Sequence, residues 1–265
     1  MLHWLKQRLY HLLALGGIKV PAGLLLRLAN ANQTPALAPV PSARRVLVLA
    51  PHMDDETIGC GGAICQHVRA GSRVEVLFLT DGAMGFEAED LRSLSHAARC
   101  ERRRAESEDA ARVLGVSATH YLDLPDGSSQ VDDHSLAAML AVLESVSPDL
   151  VYLPFLTDSH HDHRTTVALF LAACRSRPTF DSLLCNCYEV WAPLLPNHIV
   201  DITDDIEQKM AALQCYASQL AMNDYLSSVR GLNAYRAIAN RSQGYAEAFF
   251  LTTASEYRTL AEGSA

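Results

Sequence analysis

Residues 45–56 read RVLVLAPHMDDE. Residues 45–50 form a continuous apolar run of strand length, and a run without polar alternation marks a strand buried on both faces. Pro51 ends it, and His52, Asp54, Asp55 and Glu56 follow at once. Such a strand belongs inside a parallel sheet covered by helices on both sides.

The surrounding sequence agrees. Residues 73–80 (RVEVLFLT) read as a second strand ended by Asp81-Gly82, residues 119–122 as a third and residues 149–154 as a fourth. Between them lie a glycine-opened helix over 59–70, a long helical pattern over 91–114 stopped by Gly115, and a helix over 132–145. Strands alternating with helices of this length predict an α/β fold, a Rossmann-like three-layer sandwich with a mostly parallel sheet. Ligands of such sheets bind beyond the carboxyl ends of the strands.

With 49% hydrophobic residues the 265-residue chain can bury a full core, and its net charge of −8 argues against a nucleic-acid surface. The charge is uneven: residues 1–53 carry six basic residues and no acid. Residues 1–43 read as a basic amphipathic arm and linker, and residues 44–265 as the catalytic body. Leu2, Leu5, Leu9, Leu12 and Leu13 recur mostly at helical spacing. Residues 2–15 are thus a candidate for peripheral membrane contact or for docking on the body, and both readings stand. The apolar stretch over 9–18 is too short to span a bilayer, and Lys19 and Arg27 interrupt a secretion signal. Pro35, Pro39 and Pro41 mark a linker over 33–42. Seven cysteines without a CxxC point to reduced thiols and a cytoplasmic location, with the inner face of the membrane as the variant that the arm suggests. Cys185 and Cys187, two apart on an expected strand, face one side and are not bonded to each other.

A second cluster, Asp158-Ser159-His160-His161-Asp162-His163, follows the fourth strand as His52–Glu56 follows the first. Both therefore sit at the carboxyl end of the sheet. Imidazoles and carboxylates at such density are costly to bury unless they bind a metal or one another. His52 and Asp55 can reach one ion from a single turn, and His163 can add a third ligand, leaving positions open for water and substrate. Asp54, beside the ligand Asp55 but aimed differently, is the natural base. His160 stands three residues before His163, and Asp162 can fix its tautomer and orientation. Alone, His52 or Asp55 reads more readily as a cap or turn residue; two clusters at two strand ends reverse that and favour a site. His161 is given no role, and Glu56 reads as an acid favoured at a helix N-terminus.

These segments resemble the PIG-L/LmbE family of metal-dependent N-deacetylases, whose motifs read His-Pro-Asp-Asp-Glu and His-x-Asp-His. Here they stand as His52-Met53-Asp54-Asp55-Glu56 and His160-His161-Asp162-His163. Weaker matches run over about 45–220: GCGGA at 59–63, Thr80-Asp81-Gly82, Arg103-x-x-Glu106, Leu124-Pro125-Asp126-Gly127 and Tyr216-Ala217-Ser218-Gln219. The resemblance implies zinc on His52, Asp55 and His163, Asp54 as general base, and His160 stabilising the oxyanion as an N-acetyl group leaves an N-acetylglucosamine-type sugar. By the same analogy Arg103 and Asp126 contact the sugar, although a helix-face ion pair and a turn residue describe them almost as well. Met53 replaces the motif's proline, which would fix φ and stiffen the turn. Zinc is the preferred metal, and ferrous iron suits the same ligands. Lipid-linked and envelope glycans are favoured modestly among N-acetylated sugars and glycoconjugates by the basic arm. Trp191 can line the sugar pocket or pack in the core.

Other classes fit less well. Gly59, Gly61 and Gly62 hint at a dinucleotide-binding turn, but Ile64 breaks the G-x-G-x-x-G pattern. A two-histidine, one-carboxylate set also describes non-haem iron oxygenases; the adjoining base Asp54 favours hydrolysis. A non-catalytic glycan-binding protein of the same fold is the remaining alternative.

Overall fold

The computed structural model describes residues 35–239 and 243–262. The amphipathic arm, including the membrane-contact candidate at 2–15, lies outside them. Among the described residues eight strands form one sheet: β1 (Ala36–Leu37), β2 (Arg45–Ala50), β3 (Arg73–Thr80), β4 (Ala118–Leu124), β5 (Leu150–Pro154), β6 (Leu184–Tyr188), β7 (His198–Asp201) and β8 (Ala246–Thr253). Their order is β1-β7-β8-β6-β5-β2-β3-β4. All pairings are parallel except those of β8, which lies antiparallel between β6 and β7.

The described helices are α1 (Asp55–Arg69), α2 (Ala88–Ser93), α3 (His96–Leu114), α4 (Asp133–Val146), α5 (His161–Ser176), α6 (Ile206–Gln214), α7 (Ala217–Leu220), α8 (Tyr225–Ala239) and α9 (Ala254–Glu262). Strand β2 shows how the layers arise. Val46, Val48 and Ala50 join one core with residues of α1, α3 and α6. Leu47 and Leu49 join a second core with residues of α4, α5 and α9. A strand buried on both faces, with helices over each, is the three-layer sandwich that its apolar run predicts. Among the described residues no helix is long and apolar enough to cross a membrane.

Strand order reverses between β2 and β5: the next strand after β2 lies on one side, and the chain returns to β5 on the other. Reversal opens a crevice at the carboxyl ends of these two strands. His52 and His160–His163 leave the sheet there.

Several expectations need correction. The helical pattern over 91–114 is two helices, because Ser95 caps α3 by accepting from Ala98 N–H at 3.2 Å and Arg99 ties off the carbonyls of Leu91 and Leu94. Gly115 ends α3 in the left-handed region at φ 80°, as its position suggested. Helix α1 starts at Asp55, four residues before the glycines, and breaks at Cys60. The glycines serve close packing: a Cβ at Gly59 would strike the Tyr188 ring, and one at Gly62 the Ile202 side chain. The proline-rich stretch is more than a linker, since β1 within it pairs with β7 at the sheet edge. Cys185 and Cys187 share one core, and all seven cysteines are free.

Candidate metal centre

The turn from β2 into α1 is built to aim side chains. Asp54 holds φ 145° and ψ −25°, a conformation that costs a non-glycine residue about 1–3 kcal/mol. Three contacts hold it. Glu56 Oε2 accepts the Asp54 N–H at 3.1 Å, Asp55 Oδ2 accepts the His52 N–H at 2.9 Å, and the Arg103 guanidinium donates to the Met53 carbonyl. Pro51 is tied to β3 by Thr80, whose N–H and hydroxyl both donate to its carbonyl. Met53, which stands where the motif has proline, is itself buried in the core.

Asp55 Oδ2 lies between two imidazoles, 3.2 Å from His52 Nδ1 and 3.1 Å from His163 Nε2. Each ring is held on its other side by a further carboxylate. Asp158 Oδ2 lies 3.0 Å from His163 Nδ1; Asp162 Oδ2 and Asp126 Oδ1 lie 3.0 and 3.3 Å from His52 Nε2. That is the arrangement by which metal-bound histidines are oriented. His163 is wholly buried, yet its Nε2 lacks a hydrogen-bond partner, since the approach to Asp55 is close but poorly aligned. An orphaned buried nitrogen facing a carboxylate and a second imidazole fits a three-ligand metal set. His160 completes the cluster: nitrogens of His52, His160 and His163 lie within 4.8 Å of one another.

The electrostatics follow from burial and these pairs. Burial pushes the Asp55 carboxyl up, but His163 and His52 hold it well below the usual carboxylate range. Burial pushes His163 down, and Asp55 and Asp158 raise it to about 9, so a proton and a metal ion compete for the same nitrogen. Asp54 is raised to about 7, chiefly by burial and against the pull of Arg103, with Asp55 adding to the rise. Burial and the neighbouring His52 and His163 lower His160.

Asp162 is placed differently from its expected role. His160 caps α5, its Nδ1 accepting the Asp162 N–H at 3.3 Å, and the Asp162 carboxylate turns away to His52. There it also accepts from Gly127 N–H at 2.9 Å and from the Ser129 hydroxyl at 2.5 Å. Its distance to His160 Nδ1 is 3.9 Å. Asp162 orients His52, not His160.

Arg103 is only 1% exposed and sits under the turn. It lies 3.6 Å from Asp54, pairs with Glu106 and Ser218 at 3.2 Å each, and stacks over Tyr216. The helix-face ion pair is therefore real, and Arg103 also borders the cleft. Asp126 stands at the mouth, where its second oxygen accepts the Met84 N–H at 2.9 Å. Two partners were not assigned from the sequence. The sequence shows Asp158 only as part of a cluster, and Glu56, which also accepts from Tyr216 at 2.6 Å, only as a helix-end acid. Neither pairing has a spacing signature.

Above these residues opens a cleft of about 290 Å³, lined by His52, Asp54, Asp55, Asp126, His160 and Trp191 among others. Trp191, 49% exposed, stacks on His160 with ring centres 6.3 Å apart and meets Tyr225 edge-on. It belongs to the cleft rather than to the core.

A family model described as PIG-L, GlcNAc-PI de-N-acetylase, matches residues 47–174, a span that holds both clusters. The diacetylchitobiose deacetylase of Thermococcus kodakarensis is 29% identical over 195 residues, covering 68% of this chain and 72% of that protein. The solved structure of an N,N'-diacetylchitobiose deacetylase from Pyrococcus horikoshii superposes with a TM-score of 0.70 at 28% identity, covering 83% of this chain and 87% of the other. Over both clusters the chain is thus similar to the PIG-L/LmbE-like deacetylases. PIG-L relatives do not share a single reaction: a 4-oxalmesaconate hydratase of Pseudomonas putida is 27% identical over 212 residues, covering 73% of this chain and 82% of that protein.

Proposed function

We propose that this chain is a metal-dependent deacetylase that hydrolyses the N-acetyl group of an N-acetylated amino sugar of the N-acetylglucosamine type. The observation that carries the reading is the buried, unpartnered Nε2 of His163, facing Asp55 and His52 with Asp54 alongside. His52, Asp55 and His163 would hold a divalent ion, zinc by preference. When bound, such an ion supplies a Lewis acid that polarises a carbonyl and acidifies water.

The side chains supply the rest. Asp54, raised to about 7, can take a proton from the attacking water near neutrality and return it to the departing amine. The water oxygen bonds to the amide carbon, the carbon–nitrogen bond breaks, and acetate and free amine leave. His160, half-exposed at the cleft wall, donates a hydrogen bond to the oxyanion. Asp162 and Asp126 hold His52, and Asp158 holds His163. Asp126 and Trp191 stand where the sugar would enter, and the exposed Met84 and Met222 at the same rim suit a substrate with an apolar aglycone, such as a lipid-linked glycan.

The hydratase relative supports a second reading, water addition to a carboxylate-bearing substrate. Several carboxylates call for cationic partners, and Arg103 is the only lysine or arginine among the described residues that line the cleft. It is already paired with Glu106. The test is acetate release across N-acetyl sugars of rising size and lipid content, with metal analysis of the same preparation. Acetate release that tracks metal content supports deacetylation; metal-loaded protein inactive on all of them, yet hydrating an unsaturated carboxylate, overturns it.

A further inference from the structure

A second group of metal-ligating side chains lies outside the deacetylase centre. Asp81 directly follows β3, while His96 and Cys100 stand four residues apart on α3, a spacing that puts them on one helix face. His96 Nε2 is 3.1 Å from Asp81 Oδ2, and Cys100 Sγ is 3.5 Å from His96 Nδ1. One ligand atom from each residue lies within 4.8 Å of the other two.

Two of these donors are already fixed. Asp81 is buried, with its N–H donating to the Leu124 carbonyl and its Oδ1 accepting from Ala83 N–H at 3.0 Å. Cys100 is half-buried on α3, which Arg99 fastens to the Ala83 carbonyl at 2.8 Å. His96 is exposed, so its ring can turn. Among the described residues, His96 is the only ion-pair partner of Asp81, so the carboxylate has no permanent counter-charge.

We propose that Asp81, His96 and Cys100 form a second cation site, for zinc or another borderline-soft divalent metal. The chemistry selects the class: thiolate with imidazole favours such ions, whereas magnesium and calcium require oxygen donors. Zinc holds sulfur at about 2.3 Å and nitrogen or oxygen at about 2.0–2.1 Å, which sets ligand atoms roughly 3.3–3.6 Å apart in a tetrahedron. The donors therefore need only small movements. The ion replaces the two existing contacts, one imidazole nitrogen turns to it, the thiol loses its proton to solvent, and water fills the fourth position. Occupancy would fasten α3 to the turn after β3, whose Gly82, Met84 and Gly85 line the cleft.

The experiment is a cobalt(II) titration of the full chain, read by the near-ultraviolet thiolate-to-cobalt absorption and by metal stoichiometry. Wild type should show the band, and zinc should abolish it by displacement. Cys100→Ser should lose the band and one equivalent of metal, with its metal-free unfolding midpoint unchanged. His163→Ala should also lose one equivalent but keep the band, which separates this site from the deacetylase centre. His96→Ala should weaken the banded site at least about tenfold. A wild-type protein without the band, or a band that survives Cys100→Ser, overturns the proposal.

Discussion

Helix α1 passes two clusters of buried charge, and only one of them closes on itself. At the break near Cys60, Glu247 accepts from the N–H groups of Gly62 and Ala63 at 2.8 Å each, while Lys209 donates to Glu247 at 2.7 Å and to the Ile58 carbonyl at 2.9 Å. The ion pair satisfies the backbone groups that the break exposes, and no side-chain polar atom of Lys209 or Glu247 is left over. One turn earlier, carboxylates and imidazoles are packed as tightly, but His163 Nε2 remains without an aligned partner. The fully paired Lys209–Glu247 charge serves the fold, whereas the imidazole nitrogen of His163, set among carboxylates and imidazoles, is the one that suits a ligand.

The comparison breaks most sharply by substitution at each cluster. Asp54→Asn should lower turnover by about a thousandfold, the scale of general-base loss, while retaining metal. A Glu247→Gln variant should do the reverse: stability measured by denaturant unfolding falls by about 3 kcal/mol, and metal content of the folded protein is kept. Replacing Lys209 and Glu247 together with methionine should not restore stability, because Ile58, Gly62 and Ala63 would keep unpaired backbone groups. Recovery to wild-type stability would show that the pair does not cap the break.

Further along α1, His67 is enclosed and bonded to the Tyr152 hydroxyl at 2.9 Å. Burial lowers it from 6.5 to about 4. The folded state therefore prefers neutral His67, and its contribution is complete above pH 6.5 and lost as pH falls towards 4. The loss should approach about 3 kcal/mol in unfolding measurements over that window. In His67→Phe the slope should flatten; an unchanged slope would place the acid sensitivity elsewhere. The smallest effect concerns orientation. Asp162→Asn should weaken metal binding by about tenfold to a hundredfold through His52, as competition with a chelator would read.

Sequence patterns made the central strands legible because β2, β3 and β5 are apolar runs with local stops. Gly115 and Asp132 marked helix ends through chemistry confined to neighbouring residues. Strand β8 was not legible: its antiparallel place between β6 and β7 rests on pairings remote in sequence. The break between α2 and α3 rests on the Ser95 cap, a single residue that a helical pattern on both sides obscures. In the site, the residue types were legible and their partners were not. Asp162 serves His52 rather than His160 because the cap at α5 turns its carboxylate aside, and Asp158 reaches His163 only once the 155–160 turn is folded. GCGGA hints at a dinucleotide-binding turn, but Gly59 and Gly62 answer to Tyr188 and Ile202, far along the chain.

Metal content and acetate release, measured together on wild type, Asp54→Asn and His163→Ala, test the centre most directly. Asp54→Asn should hold as much metal as wild type and release almost no acetate, whereas His163→Ala should lose one equivalent of metal along with its activity. Near-normal acetate release by Asp54→Asn, or full metal content and activity in His163→Ala, would contradict the assignment.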